Sequence, residues 1–139
     1  EFKTISYDVV QVGEEFQSDD FLIKPEDIET FAYAVDDHHP WYFGDSPFGG
    51  PIAHPVLLGN QALMMRHSRY IIPAGLHAKI QFEFLEPLRA GMRVRSYGKV
   101  IDKFEKRGRY YMVTEFATKN EASGEVLVRG QFTQNIFKE

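Results

Sequence analysis

The sequence predicts an α+β fold in which an antiparallel β-sheet wraps around one long buried helix. After Gly75 the chain consists of β-forming segments joined by short turns, which is typical of an antiparallel meander. Residues 55–70 read as a helix whose first turns are apolar almost all round, which indicates burial on most faces. A chain of 139 residues, 43% hydrophobic and 26% charged, suits a single globular domain over residues 1–139.

The N-terminal part predicts an arm, a short strand and a first helix. Residues 2–16 mix β-formers with a turn, and residues 21–23 read as a strand. The helix begins at Pro25, because proline suits the first helical position and the acids that follow face the positive end of the dipole. It stops before Asp36. Its apolar stripe at helical spacing comprises Ile28, Phe31, Ala32 and Val35.

Residues 36–55 predict a long functional loop. They hold four of the seven prolines and three of the eleven glycines, which excludes regular structure. The loop is also rich in aromatic residues, and an ordinary connection is shorter and more polar. Pro55 then begins the second helix, which we expect to run to about Tyr70.

Four long strands complete the chain. In the first, apolar and polar residues alternate, so that Ile80, Phe82 and Phe84 are expected to bury one face. The others span residues 92–102, 110–118 and 126–137. Strands this long and apolar rarely leave a sheet edge unpaired. We therefore expect a homodimer whose sheets join edge to edge, or a higher assembly of dimers.

Composition excludes several classes of function. The absence of cysteine rules out a thiol nucleophile, a cysteine-ligated zinc and a disulfide framework, and it fits a reducing compartment. A net charge of -4 and a pI near 5.7 argue against nucleic-acid binding. No histidine pair has metal-ligand spacing on a helix, so we expect no metal site.

The sequence shows no pattern that would direct it to a membrane. It has neither an apolar run of about 20 residues nor a signal-peptide pattern, so we expect a cytoplasmic protein without a membrane partner. It begins at Glu1 rather than methionine, and we expect further residues upstream.

The loop and the start of the second helix hold the candidate catalytic groups. Their titratable side chains are Asp37, His39, Tyr42 and His54. The backbone amides of Val56 and Leu57 are expected to be unpaired at the helix start, where they would hold a carbonyl oxygen as it gains negative charge. Two structural alternatives remain open. In the first, Pro55 begins a core helix that has no catalytic role. In the second, His54 caps that helix or packs against the loop instead of taking part in catalysis.

Two stretches resemble a known family. Residues 34–42, Ala-Val-Asp-Asp-His-His-Pro-Trp-Tyr, and residues 50–58, Gly-Pro-Ile-Ala-His-Pro-Val-Leu-Leu, resemble the MaoC-like (R)-specific enoyl-CoA hydratases. The motif of that family reads Gly-Asp-x-Asn-Pro-Leu-His and, after a loop, Pro-Ile-Val-His-Gly-Met-Leu. The resemblance implies the hot-dog fold. It also implies hydration or dehydration of an acyl thioester in a tunnel at a dimer interface, with coenzyme A or phosphopantetheine as part of the substrate and no other cofactor.

The resemblance also implies roles for individual residues. The motif aspartate falls on Asp37, the catalytic histidine position is occupied by Tyr42, and the motif asparagine is replaced by His39. A phenol has a pKa of about 10, so Tyr42 is expected to donate a proton or orient water rather than act as a base. Paired acid and base groups at one water are what hydration needs.

The same mapping places the groups around the thioester. Proline has no N–H, so with Pro55 at the oxyanion glycine position the amide of Val56 or Leu57 has to substitute. Asn60 occupies the polar position one helical turn later, and Trp41 is expected to contact substrate.

Other functions remain open at the level of the sequence. The same tunnel would support isomerisation, decarboxylation or thioester hydrolysis, because each uses a stabilised thioester oxyanion. A non-catalytic rival is an acyl-binding subunit of a hetero-oligomer. Arg89, Arg93 and Arg95 are candidates for the phosphates of coenzyme A, with a solvated sheet face as the alternative.

Overall fold

A computed structural model describes residues 3–57, 70–71 and 77–138 of the chain. Two helices fall in the first of these ranges, the α-helix α1 (Pro25–Ala34) and a 3-10 helix (Pro40–Tyr42). The strands are β1 (Lys3–Thr4), β2 (Glu15–Gln17), β3 (Phe21–Leu22), β4 (Tyr70–Ile71), β5 (His77–Phe84), β6 (Arg93–Lys106), β7 (Arg109–Asn120) and β8 (Val126–Ile136). Within the described ranges no helix is long and apolar enough to cross a bilayer.

One antiparallel sheet dominates the structure. Its strand order is β2-β6-β7-β8-β5, and β3 pairs with β6 beside β2. A separate parallel pair joins β1 to β4. The predicted antiparallel sheet is confirmed, but the meander holds for β6, β7 and β8 and not for β5, which pairs with β8 instead of β6. The predicted second helix falls mostly on residues 58–69, outside the described part of the chain, and its predicted end at Tyr70 is wrong because Tyr70 belongs to β4.

The hairpin between β6 and β7 is tighter than predicted. Its turn consists of Arg107 and Gly108, whose φ angles are 54° and 76°. A two-residue turn with both φ angles positive continues the twist of the flanking strands, so Lys106 pairs directly with Arg109. The strands therefore extend to the turn, beyond the predicted ends at residues 102 and 110.

The inner face of the sheet forms the core. The even-numbered residues are buried at positions 94–100 of β6 and 112–118 of β7, as period-two alternation requires. The buried apolar residues of β6, β7 and β8 are Val94, Val100, Met112, Phe116, Leu127, Val128, Phe132 and Ile136. From α1, Ile28 and Ala32 are buried, as predicted, but Val35 is exposed because it is the C-cap and lies beyond the helical stripe.

Strand β5 departs from its predicted burial. Phe82 is half-buried, whereas Ile80 is 41% exposed and Phe84 is 44% exposed. The prediction that all three bury one face is wrong for Ile80 and Phe84. The physical reason is the position of the strand, which lies at the end of the strand order and, among the described strands, pairs with β8.

Gly130 allows β5 and β8 to approach closely. A Cβ atom at this position would collide with the backbone carbonyl of Gln81 and would lie 3.1 Å from the ring of Phe116. The ring of Phe116 lies edge-on to Phe82, with ring centroids 5.6 Å apart. Glycine in a strand interior commonly marks such a close approach of backbone.

Candidate active site

The end of α1 places Asp37 at the site. The N–H of Asp36 donates to the carbonyl of Tyr33 at 3.2 Å, and the N–H of Asp37 donates to that of Ala32 at 2.9 Å. These two bonds form a Schellman motif, with Asp36 in the left-handed region at a φ of 55°. The two adjacent carboxylates therefore diverge. Asp36 is 93% exposed, whereas Asp37 turns toward the loop.

A hydrogen bond joins Asp37 to Tyr42. The phenol oxygen of Tyr42, on the 3-10 helix, donates to Oδ2 of Asp37 at 3.0 Å. The ring of Tyr42 is buried, while the Asp37 side chain is 42% exposed. Burial raises the pKa of Tyr42, and the hydrogen bond and negative charge of Asp37 raise it further. The phenol therefore stays protonated at neutral pH and acts as a donor.

His54 lies on the other side of the same carboxylate. Its Nε2 atom is 3.7 Å from Oδ2 of Asp37, and its side chain is 23% exposed. Its Nδ1 atom accepts a hydrogen bond from the Val56 N–H at 3.2 Å. Because the amide occupies Nδ1, the neutral imidazole carries its proton on Nε2, the atom that faces Asp37. The ring also contacts Phe31, with centroids 5.3 Å apart.

The amides expected to hold a carbonyl oxygen are already engaged. The Val56 N–H donates to His54 Nδ1, and the Leu57 N–H donates to the His54 carbonyl at 3.0 Å. The expectation that both are unpaired is wrong for this conformation. The cause is local: residues 55–57 form a turn, and the His54 side chain caps it. The capping alternative for His54 describes the observed contact.

His39 contacts other groups than Asp37. Its Nδ1 atom accepts a hydrogen bond from the Trp41 N–H at 3.2 Å, which caps the 3-10 helix. Its ring packs against Trp41 and Tyr42, with centroid distances of 4.9 Å and 5.8 Å. His38 is half-exposed and lies 3.8 Å from Asp36. The site thus brings together Asp37, Tyr42 and His54, with His39 behind Tyr42.

A cavity of about 570 Å³ adjoins this cluster, and we call it the loop cavity. It lies between the loop and the turn after β5, and four of its lining residues are aromatic. Among the described residues, the lining comprises His39, Trp41, Tyr42, Phe48, Ile52, Ala53, Pro55, Phe84, Leu85, Glu86, Pro87 and Leu88. Trp41 thus lies where a ligand can reach it, while Asn60 falls outside the described residues. Sequence reasoning missed Phe84 and Glu86, although the Leu-Glu-Pro-Leu turn was a usable signal.

Two of the three candidate phosphate-binding arginines are paired with acids. Nη1 of Arg93 lies 2.8 Å from a carboxylate oxygen of Asp20, and Arg95 lies between Asp20 and Glu121 at 3.8 Å and 4.0 Å. The Arg93 guanidinium lowers the pKa of Asp20. These contacts favour the solvated sheet face for this pair. Arg89 donates to the Phe48 carbonyl at 3.4 Å, beside the loop cavity.

Metal binding finds no support in the described ranges. Among residues 3–57, 70–71 and 77–138, no three histidine or acidic side chains converge in a way that would hold an ion.

The fold and the family of the chain are clear from comparison with known proteins. The computed structure matches the following solved structures. The monoamine oxidase regulatory protein from Archaeoglobus fulgidus has a TM-score of 0.83 at 24% identity, with 99% of this chain and 97% of that chain covered. The MaoC-like dehydratase from Rhodospirillum rubrum has a TM-score of 0.81 at 19% identity, with coverage of 97% and 98%. The R-hydratase PhaJ1 from Pseudomonas aeruginosa has a TM-score of 0.80 at 21% identity, with coverage of 98% and 88%.

These similarities show the structural class of the protein: it has the hot-dog fold of MaoC-like dehydratases and hydratases, as the sequence predicted. The family follows from the sequence itself. Residues 10–129 match the family model for the FAS1-like dehydratase domain region, and the chain belongs to that family. Comparison with curated protein sequences finds no significant match.

Proposed function

We propose that this protein is a hydro-lyase that adds water to, or removes it from, the α,β carbon–carbon bond of an acyl thioester. The observation that carries the proposal is the Tyr42–Asp37 hydrogen bond of 3.0 Å beside the loop cavity. A phenol that lines an apolar cavity and donates to a neighbouring carboxylate forms with it a matched acid and base. Membership of a dehydratase family supports the same reaction class.

The proposed hydration step uses one proton acceptor and one proton donor. The Asp37 carboxylate accepts a proton from water as the water oxygen bonds to the β-carbon. The π-electrons of the double bond move toward the α-carbon, which takes a proton from the Tyr42 hydroxyl. The proton on Asp37 then returns to the phenolate through their hydrogen bond. The elements of one water molecule are added, and both side chains regain their starting protonation states.

His54 has a positioning role in this proposal. Its Nε2 atom lies 3.7 Å from Asp37 Oδ2, so the imidazole attracts the carboxylate and keeps it on the side that Tyr42 faces. Its Nδ1 atom accepts the hydrogen bond of the Val56 N–H. A thioester oxygen that takes up this amide therefore has to replace the imidazole nitrogen, which couples substrate binding to a small movement of His54.

The proposal also includes self-association through β5. Pairing of this edge with the same strand of a second copy would satisfy its outer backbone groups and shield Ile80, while Phe84 stays at the loop cavity. We expect light scattering to give twice the chain mass, 32 kDa from 16.1 kDa × 2. A stable monomer at micromolar concentration would remove this part of the proposal.

A second candidate function is a non-catalytic acyl-binding subunit. It is favoured by one observation: Pro55 has no N–H, and the next two amides are engaged by His54. Under this alternative the loop cavity binds an acyl group without turnover, and a partner subunit supplies the oxyanion site.

One pair of variants separates the two functions. Crotonyl-CoA hydration is measured as the loss of ultraviolet absorbance of the enoyl thioester, for the intact protein, Asp37→Asn and Asp36→Asn. The control removes an adjacent carboxylate that is 93% exposed. We expect Asp37→Asn to lower kcat by about 100-fold or more, as loss of a general base does, and Asp36→Asn to leave it unchanged. Equal activity in both variants, or acyl-CoA binding without turnover in the intact protein, would contradict the hydro-lyase.

A further inference from the structure

The loop cavity differs in charge from a site for the phosphate end of coenzyme A. Among its lining residues in the described part of the chain, none is lysine or arginine. The carboxylate in the lining is that of Glu86, which is exposed. Coenzyme A carries several negative charges in its phosphates, and binding them calls for cationic donors. Of the two ends of a thioester, the cavity therefore suits the acyl end.

The apolar lining indicates which kind of acyl group the cavity binds. Phe48 and Phe84 are each 44% exposed, although they are large aromatic residues at a cavity wall. Exposed apolar surface gathered at one concave place is typical of a surface that a ligand covers. The ring of Phe48 stands edge-on to Trp41, with centroids 5.8 Å apart. Edges and faces of rings are thus both available to a further aromatic ring.

We infer that the loop cavity selects acyl groups with an aromatic or similarly bulky apolar substituent and that Glu86 excludes acyl groups ending in a carboxylate. This inference rests on the proposed function for its assignment of a thioester as the ligand. Burial of an apolar ring against the aromatic walls is favourable, because such a ring carries no charge that would need a partner. A second carboxylate in the cavity would face Glu86, and none of the described lining residues is a cation that could neutralise it. The nearby Arg89 guanidinium donates to the Phe48 carbonyl, so the two negative charges repel.

The test compares three enoyl-CoA substrates that share the reacting double bond. They carry a methyl group (crotonyl-CoA), a phenyl group (cinnamoyl-CoA) or a carboxylate (the mono-CoA thioester of fumarate) on the β-carbon. We expect kcat/KM for the phenyl substrate to exceed that for the carboxylate substrate by about tenfold or more, since like charges at close range are strongly unfavourable. Equal values for these two substrates, with crotonyl-CoA turned over normally, would overturn the inference and leave the proposed function intact.

A charge reversal assigns the selectivity to Glu86. In Glu86→Lys, the preference for the phenyl over the carboxylate substrate, measured as the ratio of their kcat/KM values, should fall by about tenfold or more, because a cation now neutralises the acyl carboxylate. Glu105→Lys is the matched control, since Glu105 is an exposed glutamate near the end of β6 and is absent from the cavity lining. An equal change in both variants would show a general charge effect and overturn the assignment.

Binding of saturated thioesters separates this inference from the proposed function. Calorimetry compares 3-phenylpropanoyl-CoA with succinyl-CoA, neither of which has a double bond to hydrate. We expect at least about tenfold tighter binding of the phenyl compound, lost in Glu86→Lys. That result without turnover of any enoyl-CoA would remove the hydro-lyase and keep the acyl selectivity. Equal binding of the two would overturn the selectivity whatever the turnover.

Discussion

Removal of one oxygen atom, in Tyr42→Phe, tests the proposed acid. The substitution keeps the ring that lines the loop cavity and deletes the hydroxyl that donates to Asp37 at 3.0 Å. The effect on stability should be small. A hydrogen bond to a charged group contributes about 1.5–3 kcal/mol, but the Asp37 side chain is 42% exposed and water replaces the phenol, so we expect a loss of about 1 kcal/mol.

The effect on catalysis should be larger. Loss of a general acid typically lowers the rate by about 100-fold to 10,000-fold. We therefore expect Tyr42→Phe to lower kcat for crotonyl-CoA hydration by about 100-fold, equivalent to about 2.7 kcal/mol in the activation barrier. KM should change little, since the aromatic wall is kept. Steady-state spectrophotometric assays give kcat and KM, and urea unfolding gives the free energy of unfolding of the same preparation.

Tyr33→Phe is the matched control for this experiment. It makes the same chemical change on α1, at a tyrosine that is 65% exposed. We expect its kcat to equal that of the intact protein. Retention of kcat within about threefold in Tyr42→Phe would refute the assignment of the phenol as proton donor, since an acid that matters contributes more than that.

Three further predictions follow from the fold and the site. Gly130→Ala should lower the free energy of unfolding by about 3 kcal/mol in urea titrations, because the new Cβ meets the rigid carbonyl of Gln81; a change under about 1 kcal/mol would contradict the close approach. Asp36→Gly should raise stability by about 1 kcal/mol without changing kcat, since glycine adopts the left-handed backbone without cost; a destabilised variant would show that the Asp36 side chain is needed. The raised pKa of Tyr42 means that its contribution to stability is complete below the unfolded pKa of about 10 and is lost as pH rises through the folded value. Unfolding midpoints should therefore fall more steeply above about pH 10 in the intact protein than in Tyr42→Phe, and parallel curves would contradict the shift.

The sheet and α1 could be predicted because each has a strong local signal. Short turns between β-forming segments after Gly75 indicate the antiparallel sheet, alternation in β5 indicates an apolar face, and Pro25 with the acids after it indicates where α1 begins. The exposure of Phe84 could not be predicted in this way. Alternation identifies the apolar face of a strand, but strand order in the sheet decides whether that face is covered.

The residues of the candidate site could be predicted, but their contacts could not. The motif placed Asp37, Tyr42 and His54 in one loop, and the structure brings these three together. That His54 would occupy the Val56 amide depends on the imidazole rotamer and the turn at residues 55–57. Such side-chain capping competes with regular helix geometry and leaves no distinct pattern in the sequence.

A crystal structure with 3-phenylpropanoyl-CoA bound tests the central claim most directly. We predict the β-carbon of the acyl group at about 3.5 Å from a carboxylate oxygen of Asp37 or from one water that it holds, with the phenyl ring in the loop cavity. A thioester bound elsewhere, with Asp37 in contact with bulk solvent alone, would contradict the account.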